Sequence, residues 1–197
     1  MASLFSLAIF SSLAFNLVVH CGLGIREIAE RQESPFFLLV IQSIILFLSV
    51  LLLGIFFSMV LVPLSLGFMQ YLLFFPLSFL VCSGLETGSS LLLKKLNINL
   101  PEKHLFPLPS AYNGMVVLAL IVTLHLSFRL IDTVIIALGF ALGVFLSTVI
   151  LFAIVRRSVL EVIPPFLQGF PFVAISAGLL SFIFTVVASL IGTMSNW

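Results

Sequence analysis

The sequence predicts an all-α integral membrane protein of six transmembrane helices, and three observations carry that expectation. Of 197 residues, 62% are apolar and only 8% charged, whereas soluble domains carry about 25% charged residues. Apolar stretches close to the roughly 20 residues that a helix needs to cross a bilayer recur six times. Charge and proline fall between them, with Pro35, Pro63, Pro107, Pro164 and Pro165 at or near the boundaries, where a missing N–H is tolerated.

The first span, Ser3–Leu23, opens with "MASLFSLAIFSSLAF". It lacks the positive start of a signal peptide, and its apolar run outlasts the usual leader core, so it reads as a spanning segment. It runs into "GLGIRE" (22–27), where Gly22 and Gly24 precede the opposite charges Arg26 and Glu27. Two readings stand. In one the helix ends and Arg26 lies among the headgroups. In the other the helix is interrupted, and its freed backbone groups line a site near the midplane.

Spans two and three are Phe36–Val62 and Phe68–Leu85. Glu86 follows at the cytoplasmic edge, either a solvated carboxylate or an ion-pathway residue. The connection from Glu86 to Pro107 holds "KKLNINLPEKH" and reads as a helix extension followed by an interfacial loop. Span four, Leu108–Phe128, precedes span five, Ile131–Val155, which carries "GFALG" (139–143). A GxxxG of this kind lets another helix approach closely. Phe170–Ile191 is span six. No soluble domain fits between the spans, so residues 1–197 form a single transmembrane domain.

Lys and Arg are enriched on cytoplasmic loops. Arg26, Arg31, Lys94, Lys95, Lys103, Arg156 and Arg157 fall on one side of the predicted topology and Arg129 alone on the other, which puts both termini outside the cytoplasm. Three spans per half set residues 1–100 and 101–197 upside down to each other, the inverted-repeat plan of many transporters. "FPLSFLVCSGL" (75–85) and "FPFVAISAGL" (170–179) share an FP start and a Gly-Leu end.

With 8 Lys and Arg against 7 Asp and Glu, there is no basic surface for nucleic acid, and lipid is the expected environment. Cys21 and Cys82 show no CxxC spacing, which argues against a disulfide framework or a zinc site. His20 and His125 suit a proton relay or a metal site, but the topology sets them about a leaflet apart. No P-loop, GxSxG or HExxH is present, so the chain is not expected to be an enzyme alone.

The run "NLVVHCGLGIREIAE" (16–30) resembles the segment that opens the RnfA/NqrE family, membrane subunits of ion-translocating electron-transfer complexes. "LFPLPSAYNGMVVLAL" (105–120), "ALGFALGVFLSTVILFAIVRR" (137–157) and "PPFLQGFPFVAISAGLLSFIF" (164–184) are similar to its second half, and "GLE" ending at Glu86 falls where the family has "FTE". The resemblance implies two inverted three-helix repeats with interrupted first and fourth helices. It also implies an orientation with both termini outside and a paralogous RnfE/NqrD-type partner of opposite topology.

In the family the pair holds a two-iron two-sulfur cluster near the midplane, ligated by cysteines from the broken first and fourth spans. Thiolates are the usual ligands of such clusters. Aligning Leu23 and Gly24 with the family's LG puts Arg26 at the first ligand position, and aligning Pro107 puts Asn113 at the second. Neither residue replaces a thiolate, so this subunit is expected to bind no cofactor itself. The implied function is a core subunit coupling electron transfer, from ferredoxin or NADH, to Na⁺ or H⁺ movement in a bacterial inner membrane. The alternative is the substrate-binding membrane component of an energy-coupling-factor importer, which also has about this length and six spans.

Overall fold

The computed structural model describes residues 2–30, 36–61, 67–95, 109–127, 129–158 and 164–194, and among them every regular element is helical. In chain order these are α1 (Ala2–Ile9), α2 (Ile25–Glu30), α3 (Phe36–Phe56), α4 (Gly67–Lys95), α5 (Pro109–Leu126), α6 (Leu130–Ser158) and α7 (Phe170–Met194). A π-helical turn, Phe10–Ala14, extends α1, and a second, Phe57–Leu61, extends α3.

Four of the described helices are long and apolar enough to cross a membrane, over Phe36–Val60, Leu72–Leu91, Leu130–Ser158 and Phe170–Thr193. They correspond to spans two, three, five and six. The uninterrupted first span expected from length alone does not form: helix stops at Ala14 and resumes only at Ile25. The fourth is helical over Pro109–Leu126, close to its expected bounds, and continuous there. The third span continues past Leu85 as the expected helix extension, through Glu86 to Lys95, with Pro76 inside it. Pro35, Pro63, Pro107 and Lys103 lie outside the described residues.

Local chemistry sets several of these ends. At the start of α6 the Asp132 carboxylate accepts a hydrogen bond from the Arg129 backbone N–H at 3.0 Å, satisfying a donor that the first turn leaves over. Arg156 and Arg157 occupy its last turn, where cations suit the negative end of the helix dipole. A short 3₁₀ turn, Pro165–Leu167, leads into α7 through Gly169 at φ 76°.

The helices α3 and α6 pack on each other as the central pair. They approach closely at Gly54, where a Cβ would stand 2.8 Å from Thr133 Cγ2. Around this pair, α3 also packs against α4 and α5, and α6 against α1, its π turn and α7. The helix α5 lies beside α4, while α1, its π turn and α2 lie beside α7. The core is mainly apolar, with Leu46, Leu53, Phe57, Met115, Ile136 and Phe140 essentially inaccessible and a few polar side chains, Asn16, Gln42 and Ser147 among them, buried with them. Large apolar side chains also face outward, among them Leu72, Phe75, Phe166 and Phe182. In water such a surface would be costly at roughly 25 cal/mol per Å²; hydrocarbon accommodates it without that cost.

Candidate functional site

The interruption of the first span is the distinctive local structure, and it is built around Asn16. At the end of the π turn the Phe15 N–H reaches the Phe10 carbonyl at 2.7 Å, after which the helical ladder stops. Asn16 is 1% exposed and satisfies four partners. Its Oδ1 accepts from the backbone N–H groups of Val18 (3.1 Å) and Val19 (3.4 Å). Its Nδ2 donates to the carbonyls of Ser12 (3.1 Å) and Gly143 (2.8 Å). One side chain thus replaces part of the lost ladder and ties the break to α6. The chain then closes on itself, with the His20 N–H on the Asn16 carbonyl at 3.0 Å and the Leu23 N–H on the Leu17 carbonyl at 3.4 Å.

The two glycines of "GLGIRE" have a conformational reason to be there. Gly22 and Gly24 adopt φ of 69° and 83°, in the left-handed region, where a side chain costs roughly 1–2 kcal/mol. Gly24 also starts α2, its carbonyl accepting the Ile28 N–H at 3.1 Å. The sequence reading of an interrupted helix therefore describes the local structure, and the reading in which the helix simply ends at the glycines does not.

Depth follows from the Asn16 contact. Gly143 lies close to midway along α6, so the break sits near the middle of a membrane-length helix. It can come this near because α6 presents glycine. A Cβ at Gly143 would run into the Ser12 carbonyl oxygen, and one at Gly139 into Ser11 Oγ, with the Ala8 carbonyl oxygen 3.0 Å away. The GxxxG is thus a packing surface for the first span. Next to it, Ser147 Oγ also donates to the Gly143 carbonyl at 2.8 Å.

The sequence-derived site residues are distributed around this break. Leu23 is half-buried and points at the start of the fourth span: its Cδ2 would lie 3.8 Å from a Cβ placed at Gly114. Gly24 is buried, and Arg26 is exposed on the chain's own surface. Asn113 lies in α5, next to Gly114, and its side chain is outside the described residues. The interrupted first span and the beginning of the fourth therefore meet at Leu23 and Gly114.

The two histidines are not brought together. His20 Nε2 lies 3.0 Å from Thr185 Oγ1 of α7, whereas His125 Nδ1 lies 2.9 Å from the Ile121 carbonyl oxygen in its own helix. The cysteines stand apart as well: Cys21 is exposed at the break, and Cys82 is buried in α4 with its thiol 3.6 Å from Ser49 Oγ of α3. Among the described residues no three His, Cys, Asp or Glu side chains gather as a metal site.

Asn16 and Thr185 are the residues that sequence reasoning passed over. An Asn inside an apolar run was the available signal for the first, since a buried amide must be hydrogen-bonded. Thr185 carried none, because it resembles any other hydroxyl in a membrane helix. The sequence matches no protein-family model and no curated protein.

Proposed function

We propose that this chain is a core membrane subunit of an Rnf- or Nqr-like complex, not catalytic alone, in which electron transfer from ferredoxin or NADH to a downstream acceptor is coupled to Na⁺ or H⁺ movement. The redox part of this reading rests on the resemblance to the RnfA/NqrE family. The structural observation that supports it is the pattern of packing. If the first, second and third spans are exchanged with the fourth, fifth and sixth, the packed helix pairs map onto one another with one exception: the fourth packs on the fifth, but the first has no matching contact with the second among the described residues. The second and fifth pair with each other, the first with the fifth as the fourth with the second, and the first with the sixth as the fourth with the third.

This near-symmetry, with an odd number of spans per half, is the direction in which an inverted repeat of residues 1–100 and 101–197 would tend. The resemblance expects the first and fourth spans to be broken; the first is interrupted between Ala14 and Ile25, whereas the fourth is continuous over its described residues, Pro109–Leu126. The proposed orientation has both termini on the periplasmic side of a bacterial inner membrane, following the Lys/Arg asymmetry.

In this reading the chain pairs with an RnfE/NqrD-type paralogue of opposite topology and with other Rnf/Nqr subunits. Leu23, Gly24, Arg26 and Asn113 mark the region where the family holds its cluster. With Arg26 and Asn113 at the ligand positions, this subunit contributes no thiolate there and binds no iron.

Isolation of the native complex tests the proposal. The expected preparation contains the paralogue and redox subunits, and the separated membrane pair has neither stoichiometric iron nor acid-labile sulfide. Co-purification with ATP-binding subunits instead would identify an energy-coupling-factor importer and overturn the reading. A stoichiometric cluster lost in Cys21→Ser would overturn the assignment of Arg26 to the ligand position.

A further inference from the structure

Two separate contacts place His20 near the middle of the membrane. Asn16, in the same break, is bonded to Gly143, midway along α6. The His20 ring itself lies 3.0 Å from Thr185 Oγ1. Thr185 stands about 5 Å along the axis from the centre of the membrane-length stretch Phe170–Thr193, at 1.5 Å per residue. Half of the hydrocarbon core is roughly 15 Å thick, so the imidazole is well inside it. Ionisable side chains at such depth are costly and mark ion or proton routes.

The hydrogen bonds settle which ring nitrogen is available. Thr185 gives its single hydroxyl hydrogen to the Ser181 carbonyl at 2.9 Å, so its Oγ1 can only accept from the ring, and His20 Nε2 carries a hydrogen. In the neutral ring Nδ1 is then the basic atom. It has no hydrogen-bond partner among the described residues, and His20 is exposed on the chain's own surface together with Cys21 and Gly22. A polar atom left in hydrocarbon without a partner is costly, and exposed non-helical backbone at this depth is tolerated only beside protein or water. Water meets both needs and delivers protons to Nδ1. Protonation there leaves the Nε2–H bond to α7 intact, so the ring can change charge without undocking the break.

Few other charges are set against the ring. The helices α1 and α7 and the π turn after α1 carry no ionisable side chain. The charges of α6 stand in its end turns, Asp132 in the first and Arg156 and Arg157 in the last. The break adds the exposed Cys21 thiol, and α2 adds Arg26 with Glu27 and Glu30, the side chains of the two glutamates lying outside the described residues. Among the described residues no carboxylate pairs with His20 to hold it charged.

We propose that His20 is the proton-binding group of this subunit. Its Nδ1 takes up a proton from water, converting the neutral ring to imidazolium, and later releases that proton to restore the neutral ring. The ion moved is therefore H⁺ and not Na⁺, because hard cations are bound by oxygen ligands whereas the group offered here is a ring nitrogen. The proposal rests on the ion-coupling reading and adds to it the site and the ion.

Inverted membrane vesicles holding the assembled complex test it, with donor oxidation and the uptake of H⁺ and Na⁺ followed together. His20→Gln still offers Thr185 an N–H but takes up no proton, so the chain should keep its melting temperature and its place in the complex. Donor-driven H⁺ uptake per donor oxidised should fall at least ten-fold, whereas His125→Gln should leave it unchanged. Nitrogen-15 NMR of the full-length chain should show a hydrogen on Nε2 in the neutral ring and reversible protonation of Nδ1 between about pH 5 and 8. Full H⁺ uptake with His20→Gln, uptake of Na⁺ alone by the wild-type complex, or a His20 ring that keeps one protonation state throughout would each overturn the proposal and leave the electron-transfer reading in place. No donor-driven uptake of either ion by the wild-type complex would remove that reading, and the proposal with it.

Discussion

Replacing Gly139 and Gly143 together with leucine prevents the first span from docking on α6. The sites of both new Cβ atoms are already occupied, at Gly143 by the Ser12 carbonyl and at Gly139 by Ser11 Oγ and the nearby Ala8 carbonyl. Two of those three obstacles are backbone, which cannot rotate away as a long side chain would. Overpacking of this kind costs about 1–3 kcal/mol at each position, and displacing the first span also breaks the bond from Asn16 to the Gly143 carbonyl. The expected result is loss of the monodisperse folded chain in detergent, or a melting temperature lower by about 10 °C or more. An unchanged melt would mean that α1 does not pack on this face of α6.

Asn16→Ala is the second large effect, and it acts through polarity rather than volume. The substitution leaves the Val18 and Val19 N–H groups without their acceptor in a buried segment and removes the tie to α6. An unsatisfied buried donor costs about 1–3 kcal/mol in protein interiors, and interhelical hydrogen bonds in membranes are worth about 0.6–2 kcal/mol. A total loss of about 2–4 kcal/mol is therefore expected. Hydrogen exchange locates it: the amides of Val18 and Val19 should exchange at least ten-fold faster, while those of α3 are less affected. Uniform acceleration throughout the chain, or none at the break, would contradict the role assigned to Asn16.

Much of this architecture was legible in the sequence because hydrophobic length is a strong signal. The boundaries of the second, fifth and sixth spans follow from apolar run and punctuation, and α6 and α7 begin within a residue of where they were expected. The apolar part of the third span ends near Leu85, and the helix extension expected after Glu86 is present as far as Lys95, since one carboxylate near the interface does not stop a helix whose following residues still favour it.

Length alone misled at the first span. Residues 15–24 are as apolar as a spanning helix, and nothing in their hydropathy reports that Asn16 redirects the backbone or that Gly22 and Gly24 take left-handed conformations. The glycines raised the question, and the resemblance to a family with broken helices supplied an expectation. The physical reason is tertiary. Asn16 satisfies the break only because Gly143, more than a hundred positions away in the chain, offers its carbonyl, and no local pattern reports such a partner.

Electron-driven ion uptake by inverted membrane vesicles tests the central claim most directly. Vesicles from cells with and without this subunit are given NADH or reduced ferredoxin, and accumulation of Na⁺ or H⁺ is followed. The account predicts that donor-driven uptake of one of these ions disappears without the subunit and returns with the wild-type chain, and that Arg26→Ala restores it less well than Arg31→Ala. Uptake that is the same with and without the subunit would contradict the account.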